Sequence, residues 1–204
     1  MNVRVGAGTG VTPADQATAN GLSAGPAGAG SSLIRVRRAA PADHEALREM
    51  FGRCTLGTRY GRFHGPVRAI PERYLADALS GSAFHHALIA WHRPVPFPYG
   101  NPGASDAASA ASPAVAVALA SCRTVEEGAA ELGLLVEDAW QGQGLGTRLL
   151  RDLVTHASRA GLRVLEAQVL AEQAWIARLL KPYGTCRLRS ATGGVLNLTV
   201  RLDQ

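Results

Sequence analysis

The chain is 204 residues long, 47% hydrophobic and formally +5 in net charge. That length suits one domain plus tails, with enough apolar residues for a sizeable core. No apolar run approaches the roughly 18 residues of a membrane span, and the Gly- and Ala-rich N-terminus has no hydrophobic signal core. A cytoplasmic protein with no membrane partner is therefore expected.

The positive charge is almost all arginine, Lys181 being the sole lysine, and it is scattered along the chain. No basic run is interleaved with aromatics, so nucleic acid is not an expected partner. A basic protein still attracts small anionic ligands. Cys54, Cys122 and Cys186 are too far apart in sequence for a zinc set or a disulfide framework and read as reduced packing thiols. His85 and His86 are neighbours on a strand and so face opposite ways. His44, His64, His92 and His156 have no ligand spacing, and no metal is expected.

Residues 1–31 are Gly, Ala, Thr and Ser with few large apolar side chains, the composition of a disordered tail. The folded domain spans 32–204. Leu33-Ile34-Arg35-Val36-Arg37 alternates as a first strand. A helix follows from Pro41, with Asp43 as its expected cap and Ala46, Leu47 and Met50 as its apolar stripe. Residues 56–65 are rich in arginine and aromatics, and their simplest reading has Tyr60 and Phe63 in the core and the arginines in solvent. A second helix starts at Pro71, with Tyr74, Leu75, Ala78 and Leu79 on one side. Residues 87–91 form a strand. The stretch 93–113 is low in complexity, too long for an ordinary hairpin loop, and reads as a mobile insertion.

Strands are expected over 114–121, 131–136, 164–170, 187–189 and 195–202, and helices over 145–160 and 174–180. Strands outnumber helices and several are sequence neighbours. The fold class is therefore α/β in the α+β sense: a mixed, mostly antiparallel sheet of six to seven strands flanked by helices.

The chemistry concentrates after residue 136. Leu132-Gly133-Leu134-Leu135-Val136 is apolar throughout, as a strand covered on both faces should be. Gln141-Gly142-Gln143-Gly144-Leu145-Gly146-Thr147 then leads into a helix with Leu145, Leu149, Leu150, Leu153, Val154 and Ala157 on one face. Glycines let the backbone take positive φ and approach a ligand closely. The first N–H groups of the helix lack intrahelical partners, and the helix dipole favours an anion there. This is a pyrophosphate cradle without basic side chains. The spacing is neither the Gly-x-Gly-x-x-Gly of a dinucleotide loop nor a Walker loop.

Residues 130–160 resemble the signature segment of the GNAT superfamily of N-acetyltransferases. Gln141, Gly144 and Gly146 fill its Gln/Arg-x-x-Gly-x-Gly/Ala pattern, and the order of elements over 33–202 is similar. The resemblance implies acetyl-CoA as co-substrate and transfer to an amine by direct attack in a ternary complex, with no covalent enzyme intermediate. Backbone groups of Leu134 and Val136, with Leu135 between them, would line the pantetheine arm. The amides from Gln141 through Gly142, Gln143, Gly144, Leu145 and Gly146 to Thr147 would hold the pyrophosphate. Gln173 stands where a segment flanking the thioester usually carries Asn.

Glu131 is the candidate general base. It opens the apolar strand, where desolvation would push a carboxyl up. A glutamate holds the matching place of the Ala-Glu-x-x-x-x-Val segment in the protein-lysine branch, here Ala130 to Val136. The resemblance also implies a thiolate-protonating tyrosine near position 180, but the nearest is Tyr183. Arg59-Tyr60-Gly61-Arg62-Phe63-His64 resembles a stretch of bacterial protein acetyltransferases that act on acyl-CoA synthetases. The acceptor stays open between a protein lysine, such as one on an acyl-CoA synthetase, and a small amine, as does a non-catalytic acetyl-CoA-binding module. Monomer and homodimer are equally compatible with the sequence.

Overall fold

The computed structural model describes residues 32–94 and 113–203. The tail expected over 1–31 and most of the insertion expected over 93–113 lie outside the described residues. Strand β1 (Ser32–Arg38) leads into helices α1 (His44–Arg53), α2 (Leu56–Phe63) and α3 (Glu72–Leu79). Strands β2 (His85–Pro94), β3 (Val115–Glu126) and β4 (Ala129–Val136) follow, then helix α4 (Leu145–Arg159) and strand β5 (Val164–Leu170). The short α5 (Ile176–Leu180), β6 (Gly184–Thr192) and β7 (Val195–Leu202) complete the order.

The described strands form one seven-stranded sheet, ordered β1-β2-β3-β4-β5-β7-β6. Every neighbouring pair is antiparallel except β4 and β5. A parallel pair needs a long crossover, and α4 supplies it. Its stripe Leu145, Leu149, Leu150, Leu153, Val154 and Ala157 is buried as the spacing predicts, against Ala118, Ala120, Leu165 and Val200 of the sheet. Full burial of each such leucine stabilises the fold by about 1.5–3 kcal/mol before entropy is counted.

The other face of the sheet carries α1 and α3, whose Leu47, Met50, Phe51, Leu75 and Leu79 pack on Ile89, Leu119 and Leu135. Strand β3 lies between both layers, so Ala116 to Cys122 is buried without interruption. A bulge opposite Ala90 and Trp91 leaves Val117 unpaired with β2 and turns both Val117 and Ala118 toward α4. Among the described residues no helix is long and apolar enough to cross a membrane. Cys54, Cys122 and Cys186 are free, and burial pushes the Cys54 and Cys122 thiols up to about 11.

Several elements differ from the sequence expectation. Residues 56–63 are a helix, with Thr55 as its N-cap accepting from the Thr58 N–H. Strands β3 and β6 are longer than their apolar runs, because antiparallel pairing continues through polar residues once a hairpin is closed, and β4 starts earlier, at the buried Ala129 and Ala130. The helix expected over 174–180 shortens to Ile176–Leu180, between 3-10 turns at Ala171–Gln173 and Lys181–Tyr183.

Asp43 precedes α1, but its carboxylate caps nothing in that helix. It accepts from Arg37 Nη1 and Nη2 at 2.7 and 2.6 Å and from the Ala40 N–H at 2.9 Å. Arg37 in turn lies over the Trp91 ring at 4.7 Å. Only 4% of Asp43 is exposed. Arg37 holds its carboxyl below the usual aspartate range, against the desolvation that opposes the charge. A folded-state pKa lowered in this way gives stability that is present above about pH 4, where an unfolded aspartate is ionised, and lost as pH falls further. Asp43→Ala is expected to cost about 1–3 kcal/mol at neutral pH in urea unfolding and to flatten the acid limb of the stability curve.

Candidate active site

Strands β4 and β5 pair only from Ala129↔Val164 to Leu132↔Ala167. Both run on, β4 to Val136 and β5 to Leu170, so the two strands part. Backbone polar groups on the parted edges lack the ladder partners that a continuous sheet would give. A cleft of about 1040 Å³ runs through this opening, reaching from the glycine loop on one face to α2 and α3 on the other.

On the α4 side, a 3-10 turn at Asp138–Trp140 leads to Gln141 and the glycines. Gly142 and Gly144 have φ of 72° and 77°, values that only glycine adopts without strain. A Cβ on either would meet no protein atom within 4 Å, so their requirement is conformational and the space above them is open. Gly146 serves otherwise: a Cβ there would lie 3.3 Å from Leu134 and 3.6 Å from Val136, so its absence seats α4 on β4. Gly144 is the N-cap of α4 and offers no side-chain acceptor, so the first N–H groups of the helix face the open space unsatisfied.

The glutamines hold the loop in place. Gln141 Nε2 donates to the Val136 carbonyl at 2.9 Å and to Thr58 Oγ1 at 3.0 Å, and Gln143 Nε2 donates to the Ala139 carbonyl at 2.8 Å. Asp138 accepts from the Thr55 N–H, Thr55 Oγ1 and Thr58 Oγ1 at 2.7–2.8 Å. Burial opposes the Asp138 charge, yet these donors keep its carboxyl below its usual range. Arg53 adds an ion pair to Glu137 at 2.9 Å. The start of α2 is thereby strapped to the end of β4.

On the far side, α2 crosses the gap. Gly61 packs on Gln173, where a Cβ would lie 2.8 Å from Nε2, and the Arg62 guanidinium lies against Gly133 where any Cβ would stand. Arg62 also sits 4.9 Å from the ring centroids of both Phe63 and Tyr74. Arg59 donates to the carbonyls of Gly52, Cys54 and Arg68. The expectation of solvated arginines in this stretch is corrected: both are held by packing, and Tyr60, expected in the core, is 47% exposed. Phe51, Phe63, Tyr74 and His85 form an edge-to-face row with centroids 5.6–5.9 Å apart, leading from the core to the cleft.

Glu131 lines the cleft, but its surround is not apolar. Arg123, opposite it on β3, donates to Oε2 at 2.7 Å, while Oε1 has no partner among the described residues. Leu180, at the place implied for a tyrosine, is a buried leucine at 1% exposure. Tyr183 packs against the α4-side core and does not line the cleft. The tyrosine that does line it is Tyr74, whose hydroxyl meets Ser121 Oγ at 2.9 Å. Sequence reasoning assigned Tyr74 to a helical apolar stripe and weighed His85 only as a metal ligand. The register that brings them to the cleft is set by α3 packing on β2 and β3. His64 and His85 also line it, and burial pushes both imidazoles toward the neutral form. Among the described residues no group of three His, Cys, Asp or Glu side chains could hold a metal ion.

The model of the acetyltransferase (GNAT) family matches residues 83–184, half of the chain. The chain belongs to the GNAT acetyltransferase family. No curated protein sequence matches it. Among solved structures, the GNAT domain of S. lividans PAT is similar at 22% identity and a TM-score of 0.64, over 83% of this chain and 90% of that one. The putative acetyltransferase yncA from Salmonella typhimurium, solved with its cofactor acetyl-CoA, is 19% identical with a TM-score of 0.59, over 84% and 95%. The ribosomal-protein-S18-alanine N-acetyltransferase of Escherichia coli is 17% identical with a TM-score of 0.53, over 84% and 96%. These likenesses establish the GNAT fold.

The different duties of the glycines can be read in unfolding experiments. Gly144→Ala is expected to cost about 1–2 kcal/mol through its positive φ alone. Gly146→Leu should displace α4 from β4 and cost more.

Proposed function

We propose that the protein transfers the acetyl group of acetyl-CoA to an amine, by direct attack within a ternary complex. The observation that carries this reading is the parting of β4 from β5 directly beside the open, unsatisfied N-terminus of α4. An extended thioester arm fits between the strands, pairing with backbone groups of Leu134 and Val136 alongside Leu135. The amides from Gln141 to Thr147 receive the pyrophosphate, and the helix dipole favours its charge. Gln173, turned toward α2, borders the thioester end. Family membership and the acetyl-CoA found in yncA support the choice of co-substrate.

The amine must lose a proton to attack. Glu131 Oε1, free of the Arg123 pair, is the group that accepts it. The new C–N bond forms as the C–S bond breaks, and coenzyme A departs as a thiolate. With Leu180 where a tyrosine would stand, the thiolate takes its proton from water. Two acceptor classes fit this reading, a protein lysine and a small amine. A second reading, an acetyl-CoA-binding module without turnover, is favoured by the same missing tyrosine.

Acetyl-CoA is expected to raise the melting temperature, as any ligand of the native state must. No shift at millimolar concentration would remove both readings. Glu131→Gln is expected to lower kcat by about a hundredfold or more while leaving that shift intact. Turnover unchanged in this variant would exclude Glu131 as the base, and no turnover in the native protein with any amine would leave the binding module.

A further inference from the structure

The acceptor end of the cleft is polar in a specific way. Three arginines line it, Arg62, Arg73 and Arg123, against two carboxylates, Asp77 and Glu131. Arg123 is spent on Glu131. Arg62 has no carboxylate or hydrogen-bonding partner among the described residues, in contrast to Arg59, which is saturated by three carbonyls. Contacts with the mutually perpendicular rings of Phe63 and Tyr74 and with the bare Cα of Gly133 hold the Arg62 guanidinium in place without supplying an acceptor for its N–H groups. Such a fork pairs with a planar oxyanion through two parallel hydrogen bonds, and a carboxylate is the oxyanion that a small amine most commonly carries.

A second, independent feature points to the same place. His85 is 3% exposed and lines the cleft, yet neither ring nitrogen has a hydrogen-bond partner. Burying an imidazole unpaired is costly, and a ligand with both donors and acceptors removes that cost. Tyr74, on one side of His85 and also beside Arg62, presents a hydroxyl already oriented by Ser121.

We propose that this end of the cleft binds a carboxylate carried by the acceptor itself, with Arg62 as its anchor and His85 and Tyr74 as neighbouring hydrogen-bonding groups. The acceptor is then a small amine bearing an acid group, of amino-acid type, and not a protein lysine. A lysine side chain would bring an aliphatic arm and a cation past Arg62 and Arg73 and would leave both arginines without an anionic partner. The proposal rests on the acetyl-transfer reading and selects among its acceptors.

The test uses the full chain with acetyl-CoA, following thiol release with the twenty amino acids, their carboxamides and a lysine-containing peptide with blocked termini. At least one free amino acid should exceed its carboxamide and the peptide about tenfold or more in kcat/KM. Arg62→Met should raise KM for that acid by a similar factor with kcat within about twofold, and Arg62→Lys should recover part of the loss. Equal use of acid and carboxamide, or preference for the peptide, overturns the proposal. So does an Arg62→Met effect that is the same for all acceptors, or one that alters only the choice between acetyl- and succinyl-CoA. A binding measurement stands apart from turnover: the acid, without acetyl-CoA, should raise the melting temperature of the native protein and its carboxamide should not. Absence of any acid-specific shift sinks the subsite even where acetyl-CoA binds, whereas failure of acetyl-CoA to bind removes the transfer reading instead.

Discussion

The architecture turns on the loss of pairing between β4 and β5 beyond Leu132 and Ala167. In a continuous parallel sheet each edge group would be consumed by its neighbour. Here a short ladder holds the strands together at one end while the other end opens onto both faces of the sheet. The crossover helix α4 must begin at that open end, because it connects the two strands. Its uncompensated N–H groups therefore arrive beside the gap as a consequence of topology. Positive φ at Gly142 and Gly144 makes the necessary turn, and the missing Cβ of Gly146 lets the helix settle on Leu134 and Val136.

An open gap in a sheet is a weak place, and the chain reinforces it from the opposite face. Asp138 and Gln141 bind Thr55 and Thr58, and Arg53 binds Glu137. These bonds fasten the end of α1 and the start of α2 to the end of β4, Arg62 adds a contact at Gly133 of β4, and Gly61 reaches across to Gln173 beyond β5. The two ends of the cleft consequently differ in their electrostatics. At the α4 end, backbone dipoles supply the positive potential without a basic side chain. At the α2 and α3 end, charge comes from arginine side chains held by aromatic rings and by one ion pair. The first arrangement suits a diphosphate whose position the backbone fixes. The second leaves room for selectivity, because side chains can change without disturbing the sheet.

Much of this was legible in the sequence, for local reasons. The glycine loop announces itself because positive φ and close approach leave few residue choices. The stripe of α4 and the apolar run of β4 follow from periodicities of 3.6 and from two-sided burial. Strand ends were less legible, since β3 and β6 extend through polar residues by pairing rather than by hydrophobicity. Helix α2 was missed, because Leu56 to Phe63 contains two glycines and few core residues. It forms under tertiary contacts that a local reading cannot supply.

The sequence by itself determined that a strand, a glycine turn and an amphipathic helix meet at one point, because each of those features is fixed within about a dozen consecutive residues. It also marked Glu131 as a carboxylate on the strand that leads to that turn. The tertiary structure alone decided what surrounds Glu131, replacing the expected apolar neighbours with Arg123 from the adjacent strand. It alone placed Arg62, Tyr74 and His85, which lie on three different elements, around one end of the cleft. Such a set is created by the packing of α2 and α3 on the sheet, and no spacing within the chain encodes it.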